Sequence, residues 1–227
     1  MSKKRNHSRF VMHLIILLTV TNTFAAGDTS LPVGLEMRHQ LWNSFAEKLY
    51  TVHKKRLDNS DYYTMENIGG YGGLTNEPEY YREVKYFDRE SRQLLSIVKW
   101  ELKFSNDFHM IDLFIYDDEN RIKREYTATY LPSRRTSPSE ALIILHYYRN
   151  NLHSVREFDA SNVLLYEQCT DTEQGDKVIF SLDYVDIPES YSELDKDEQE
   201  AYLACFGHAA NSAEPYLDPL VELSAIK

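Results

Sequence analysis

The chain has 227 residues, a formal net charge of −11, 42% hydrophobic and 27% charged residues, and two cysteines. That balance belongs to a globular chain and excludes collagen-like, low-complexity and wholly disordered classes. The acidic surplus argues against nucleic-acid binding, and two cysteines are too few for a Cys₄ zinc site or a dense disulfide scaffold.

The first 25 residues have the pattern of a signal peptide. Lys3, Lys4, Arg5 and Arg9 precede an apolar run from Phe10 to Val20 that is too short to span a bilayer. Thr23 and Ala25 place small residues at −3 and −1 for cleavage after Ala25. The expectation is therefore a signal peptide at 1–25 and one globular domain at 26–227, periplasmic or secreted, with no membrane span after cleavage. Losing four cations and no anions takes the formal charge from −11 to −15. In an oxidising compartment the pair Cys169 and Cys205 reads as a disulfide, since no C-x-x-C redox motif is present.

Residues 35–57 recur apolar at Leu35, Leu41, Trp42, Phe45, Leu49 and Val52, a single helical stripe. Residues 58–81 hold four of the eight glycines with Tyr62, Tyr63, Tyr71, Tyr80 and Tyr81, and read as a long loop with a short hairpin at Gly70-Tyr71-Gly72. Beyond residue 82 the period changes to two. Residues 94–104, 108–116, 122–130 and 178–184 alternate as antiparallel strands, the second apolar enough on both faces to run centrally. Ser137 and Glu140 form a capping box around Pro138, which predicts a middle helix to about Asn150. A last helix is expected over about 194–206, ending at Gly207, with an irregular tail after it.

Three segments share one form: Tyr86-Phe87-Asp88-Arg89-Glu90-Ser91-Arg92, Ile115-Tyr116-Asp117-Asp118-Glu119-Asn120-Arg121 and Glu157-Phe158-Asp159-Ala160-Ser161-Asn162-Val163. Each is an aromatic, an Asp, two residues, then Ser or Asn before a strand. The Asp is placed to cap a hairpin turn, and the Ser or Asn to take its left-handed position. The form resembles the YD-type hairpin repeats of large bacterial surface and toxin-shell proteins. That resemblance implies stacked hairpins and carries over no functional residues.

The fold class expected is α+β: an antiparallel sheet of about six to eight strands built from hairpins, with an N-terminal, a middle and a C-terminal helix. Six histidines follow the signal segment, yet H-E-x-x-H, G-x-S-x-G, S-x-x-K and a complete phosphate loop are all absent. His146 and His153 have no metal-ligand spacing if they straddle a helix end, and the acids of 183–200 lack a calcium-loop pattern, so neither a metal nor a cofactor is expected. The five tyrosines of 58–81 combine rigid amphipathic rings with flexible backbone, as recognition loops do. The function read from this is a non-enzymatic binding or accessory protein, with a possible protein or glycan partner. The alternative is an exported hydrolase with an unrecognised carboxylate/His site.

Overall fold

The computed structural model describes residues 33–72, 75–103, 107–130, 137–188 and 190–223. The expected signal peptide at 1–25 and its expected cleavage site lie outside the described residues. Among the described residues nine strands form one sheet: β1 (Tyr62–Gly69), β2 (Tyr81–Asp88), β3 (Leu94–Glu101), β4 (Asp107–Tyr116), β5 (Ile122–Thr129), β6 (Glu140–Arg149), β7 (Leu152–Asp159), β8 (Leu164–Asp171) and β9 (Lys177–Asp183). Each pairs antiparallel with the one before it, so spatial order equals chain order. Helices α1 (Val33–Asn59), α2 (Lys196–Phe206) and α3 (Pro219–Leu223) complete a sheet-dominated molecule.

Among the described residues the sheet has nine strands where about six to eight were expected, because two segments read otherwise are strands, each for a physical reason. The middle helix is a strand. Ala141, Ile143 and Leu145 are buried in alternation, and the β-branched and aromatic run Ile143-Ile144, Tyr147-Tyr148 suits a ladder bonded on both sides. The Ser137 hydroxyl donates to the Pro138 carbonyl, so the expected cap is not built. The long 58–81 loop is mostly β1 and its return. Strand β1 lies at the sheet edge, exposed along most of its length, so it carries no alternation for a sequence reading to detect. An isolated bridge joins Gly72 to Glu77 in place of a hairpin at Gly70-Tyr71-Gly72. The tail also gains order: Pro215 lies in a 3₁₀ turn (Glu214–Tyr216) and Pro219 opens α3, where a missing N–H costs nothing.

The Asp turns behave as their chemistry predicts. The carboxylates of Asp88, Asp117 and Asp159 each accept two backbone N–H groups of their own turn. Asn120 (φ 63°) and Asn162 (φ 66°) take the left-handed position. In the first turn that position falls on Arg92 (φ 64°) and not on Ser91, so this loop is one residue longer. A fourth Asp turn joins β8 to β9, where Asp171 accepts from the N–H groups of Glu173 and Gln174 before left-handed Gly175 and Asp176. It escapes the sequence pattern because Thr170, not an aromatic, precedes the Asp.

Both longer helices cover the same sheet face. Cross-strand rows Val98–Ile111–Ala128–Ala141 and Leu113–Tyr126–Ile143–Phe158 receive Phe45, Leu49 and Val52 of α1, all buried. Each such side chain contributes about 1.5–3 kcal/mol. Leu41, on the expected stripe, is 49% exposed. Toward the β9 edge, α2 packs Tyr202 and Phe206 on Phe180. This helix has a full capping box between Asp195 and Glu198. Gly207 ends it with φ −58°, and a Cβ there would stand 2.6 Å from the Leu203 carbonyl oxygen. Close approach, not left-handedness, explains the glycine.

Cys169 of β8 is bonded to Cys205 of α2, with Cα atoms 6.0 Å apart. The bridge closes 36 residues, worth about 3–4 kcal/mol in the chain-entropy account. Urea unfolding of the oxidised protein against the Cys169→Ser/Cys205→Ser variant should show a loss of that order. Non-reducing mass spectrometry of the oxidised protein should find no alkylatable thiol.

Candidate functional site

Among the described residues no helix lies on the opposite sheet face, and chemistry-bearing side chains collect there. The register puts Asn67, Glu83, Lys99, Met110 and Thr129 in one row, and Met65, Lys85, Ile97, Asp112, Thr127 and Leu142 in the next. A third row holds Phe114, Glu125, Ile144, Glu157 and Tyr166. Lys99 pairs with Glu83 at 2.9 Å.

Next to Glu125 lies a linear polar chain. The His146 ring donates from Nε2 to Glu125 Oε1 at 3.0 Å, and its Nδ1 meets His153 Nε2 at 3.0 Å. The two rings are 11° from parallel with centroids 5.2 Å apart, so nitrogens this close mean rings meeting edge to edge rather than face to face. With Nε2–H committed to Glu125, neutral His146 accepts at Nδ1 and His153 donates from Nε2. Tyr148 stacks on His153 at 4.6 Å, its hydroxyl donating to the Ile122 carbonyl, and Arg121 covers the far side of the Tyr148 ring at 4.4 Å. Burial first, then the neighbouring His146, pushes the His153 pKa down.

Asp112 lies on the same face, where burial pushes its carboxyl up to about 6 against the opposing pull of the Thr127 hydroxyl donated at 2.8 Å. Burial, then Glu140, also raises Glu157. Two carboxyl groups are thus held part-way toward their neutral forms on a surface that no helix of the described residues covers.

The sequence reading missed this cluster because it placed His146 on a helix. Residues 149–152 form a tight hairpin, with Asn150 at φ 54°, and a seven-residue separation across such a hairpin brings two side chains to one face of adjacent strands. The adjacent Asn150-Asn151 was the available signal.

The five tyrosines do not converge. Tyr62 and Tyr63 belong to β1, Tyr62 against Tyr86 and Tyr63 stacked on Phe87. Tyr71 is 68% exposed, whereas Tyr80 is 4% exposed with its hydroxyl donated to buried Glu101 at 2.6 Å, and Tyr81 stacks on His109.

A Ser–His contact exists elsewhere, between Ser96 Oγ of β3 and His53 Nδ1 of α1 at 2.9 Å, but both side chains are buried between the helix and the sheet. Burial, then Arg56 and Lys54, lowers the His53 pKa to about 4. A histidine kept neutral and out of reach of solvent is a packing element here. Beside α1 and α3 a cleft of about 390 Å³ is lined by Leu41, Phe45, Lys48, Leu217, Asp218 and Val221, and it includes no histidine.

Comparison with protein-family models, with curated proteins and with solved structures found no match.

Two measurements check these assignments. A carboxyl whose folded pKa is raised stabilises the fold below its unfolded value near 3.8, and that stability is lost as pH rises through about 6. Asp112→Asn keeps an acceptor for Thr127, so it should stabilise the protein near pH 7 by on the order of 1–3 kcal/mol and lose that gain near pH 4. Tyr71→Ala should cost under about 0.5 kcal/mol and Tyr80→Ala about 3–5 kcal/mol in urea unfolding, because one ring is in solvent and the other is in the core.

Proposed function

We propose that this is a non-enzymatic binding or accessory protein of the periplasm or the extracellular space, with the helix-free sheet face receiving a protein or glycan partner. The observation that carries the reading is the contrast between the two faces. One is filled by α1 and α2, while the other arrays Asp112, Glu125, His146, His153, Glu157 and Tyr166 in register with no helix of the described residues over them. Rows of half-buried carboxyl, imidazole and phenol groups on regular strands are held rigidly, so little ordering entropy opposes docking. The tyrosines of 62–81 have a weaker claim, since Tyr80 is buried and the others are spread over an edge strand, an exposed turn and the β2 start.

The hydrolase reading retains one supporting observation, the Glu125–His146 pair beside Asp112. The two His146 ring nitrogens face Glu125 and His153 rather than a serine, threonine or cysteine, so the pair lacks the nucleophile–base contact of covalent catalysis.

Charge-and-bulk substitutions on the face provide the test. Glu157→Arg with Gln168→Arg should reduce capture of a partner from envelope extract by at least about tenfold with the melting temperature nearly unchanged, while Tyr71→Ala should leave capture intact. The opposite pattern would transfer the binding role to the tyrosine segment.

A further inference from the structure

We propose that His146 and His153 form a two-imidazole site for a borderline divalent transition ion, zinc or copper(II), oriented by Glu125. This inference is independent of the docking role assigned to the same face.

The geometry supplies three of the things such a site needs. Two nitrogens on one tetrahedral ion, each about 2.0–2.1 Å from it, stand about 3.3 Å apart. His146 Nδ1 and His153 Nε2 already stand 3.0 Å apart. His146 presents a lone pair at Nδ1 because its Nε2–H is given to Glu125. A ligating imidazole whose other nitrogen donates to a carboxylate is the arrangement that fixes tautomer and raises basicity in metal centres. Third, both histidines sit on neighbouring strands joined by a tight hairpin, and the Tyr148 ring, anchored through Ile122, backs His153.

Binding puts the ion where the hydrogen shared by the two rings stood. His153 moves its hydrogen from Nε2 to Nδ1, the two rings tilt so that their lone pairs converge off the line joining them, and the ion takes the place of the shared hydrogen. From the neutral pair no proton is released; from the singly protonated pair one is. Among the described residues no group of three or more His, Cys, Asp and Glu is arranged to hold a metal, so water fills the remaining positions. Imidazole ligands select zinc, copper and nickel over calcium and magnesium, and an acidic chain concentrates cations of either kind.

Calorimetric titration of zinc and of copper(II) into untagged, chelator-stripped protein near pH 7.5 tests the site. One ion per chain is expected. His146→Ala and His153→Ala should each weaken binding at least about tenfold, and Glu125→Gln about 10–100-fold, while His39→Ala and His208→Ala leave it unchanged. Lowering the pH to about 5.5 should weaken binding, since protons compete for the same nitrogens. As a check independent of the variants, copper(II) should broaden the imidazole resonances of His146 and His153 in the intact protein before those of the other histidines. Absence of binding up to about 1 mM ion, or affinity unchanged in the double histidine variant, would overturn the proposal.

Discussion

The central constraint on this molecule is that a nine-stranded meander left open at both edges must bury one of its faces. Closure into a barrel would have hidden the inner side chains by geometry, but here helices do it. Strands β4, β5 and β6 present Ile111, Tyr126, Ala128, Ala141 and Ile143, all essentially inaccessible, and α1 supplies Phe45, Ala46, Leu49 and Val52 against them. The adjoining third of the sheet is served by α2, held by the Cys169–Cys205 bridge.

Covering one face with helices that are not wholly apolar forces polar groups into the interface, and the largest of them, Arg156, is met with partners. Arg156 donates to Glu167 at 2.6 Å, to the Ala210 carbonyl, to Asn211 and to the Tyr202 hydroxyl, while Tyr191 donates to the other Glu167 oxygen at 2.8 Å. Such a pair adds little net stability, because desolvation of both ions offsets their attraction, but removing one partner costs about 3–5 kcal/mol. The consequence is positional. The segment 191–211 is fastened to β7 and β8 by directional bonds as well as by the disulfide, which sets where α2 lies.

The same alternation that feeds the core builds the opposite face. Every inward residue of β4 to β8 is flanked by outward ones, so once α1 and α2 commit to one side, Asp112, Glu125, His146, His153 and Glu157 come into register on the other. Asp112 and His53 show how differently the two sides treat a titratable group. His53, carried by α1 with Arg56 and Lys54, is sealed against the sheet and is held neutral down to about 4. Asp112 is raised by burial, yet on a face that no helix of the described residues covers.

The sequence by itself determined whatever rests on short-range chemistry. The helix of α1 was legible from its apolar stripe, β3, β4, β5 and β9 from period-two alternation, the Asp turns from a side chain that reaches its own backbone two to four residues on, and the disulfide from an even cysteine count. Tertiary structure decided what depends on partners far along the chain. Glu140–Arg149 carries local capping signals for a helix, but ladders to β5 and β7 satisfy its backbone as a strand and bury Ala141, Ile143 and Leu145. Tyr62–Gly69 has no periodicity, because an edge strand exposed on both sides has no face to protect. The Glu125–His146–His153 chain spans three strands, and its members share a face only once β5, β6 and β7 have fixed their registers. Local sequence can specify a turn or a stripe. It cannot specify which strands will be neighbours, since that follows from burying one whole sheet face at once.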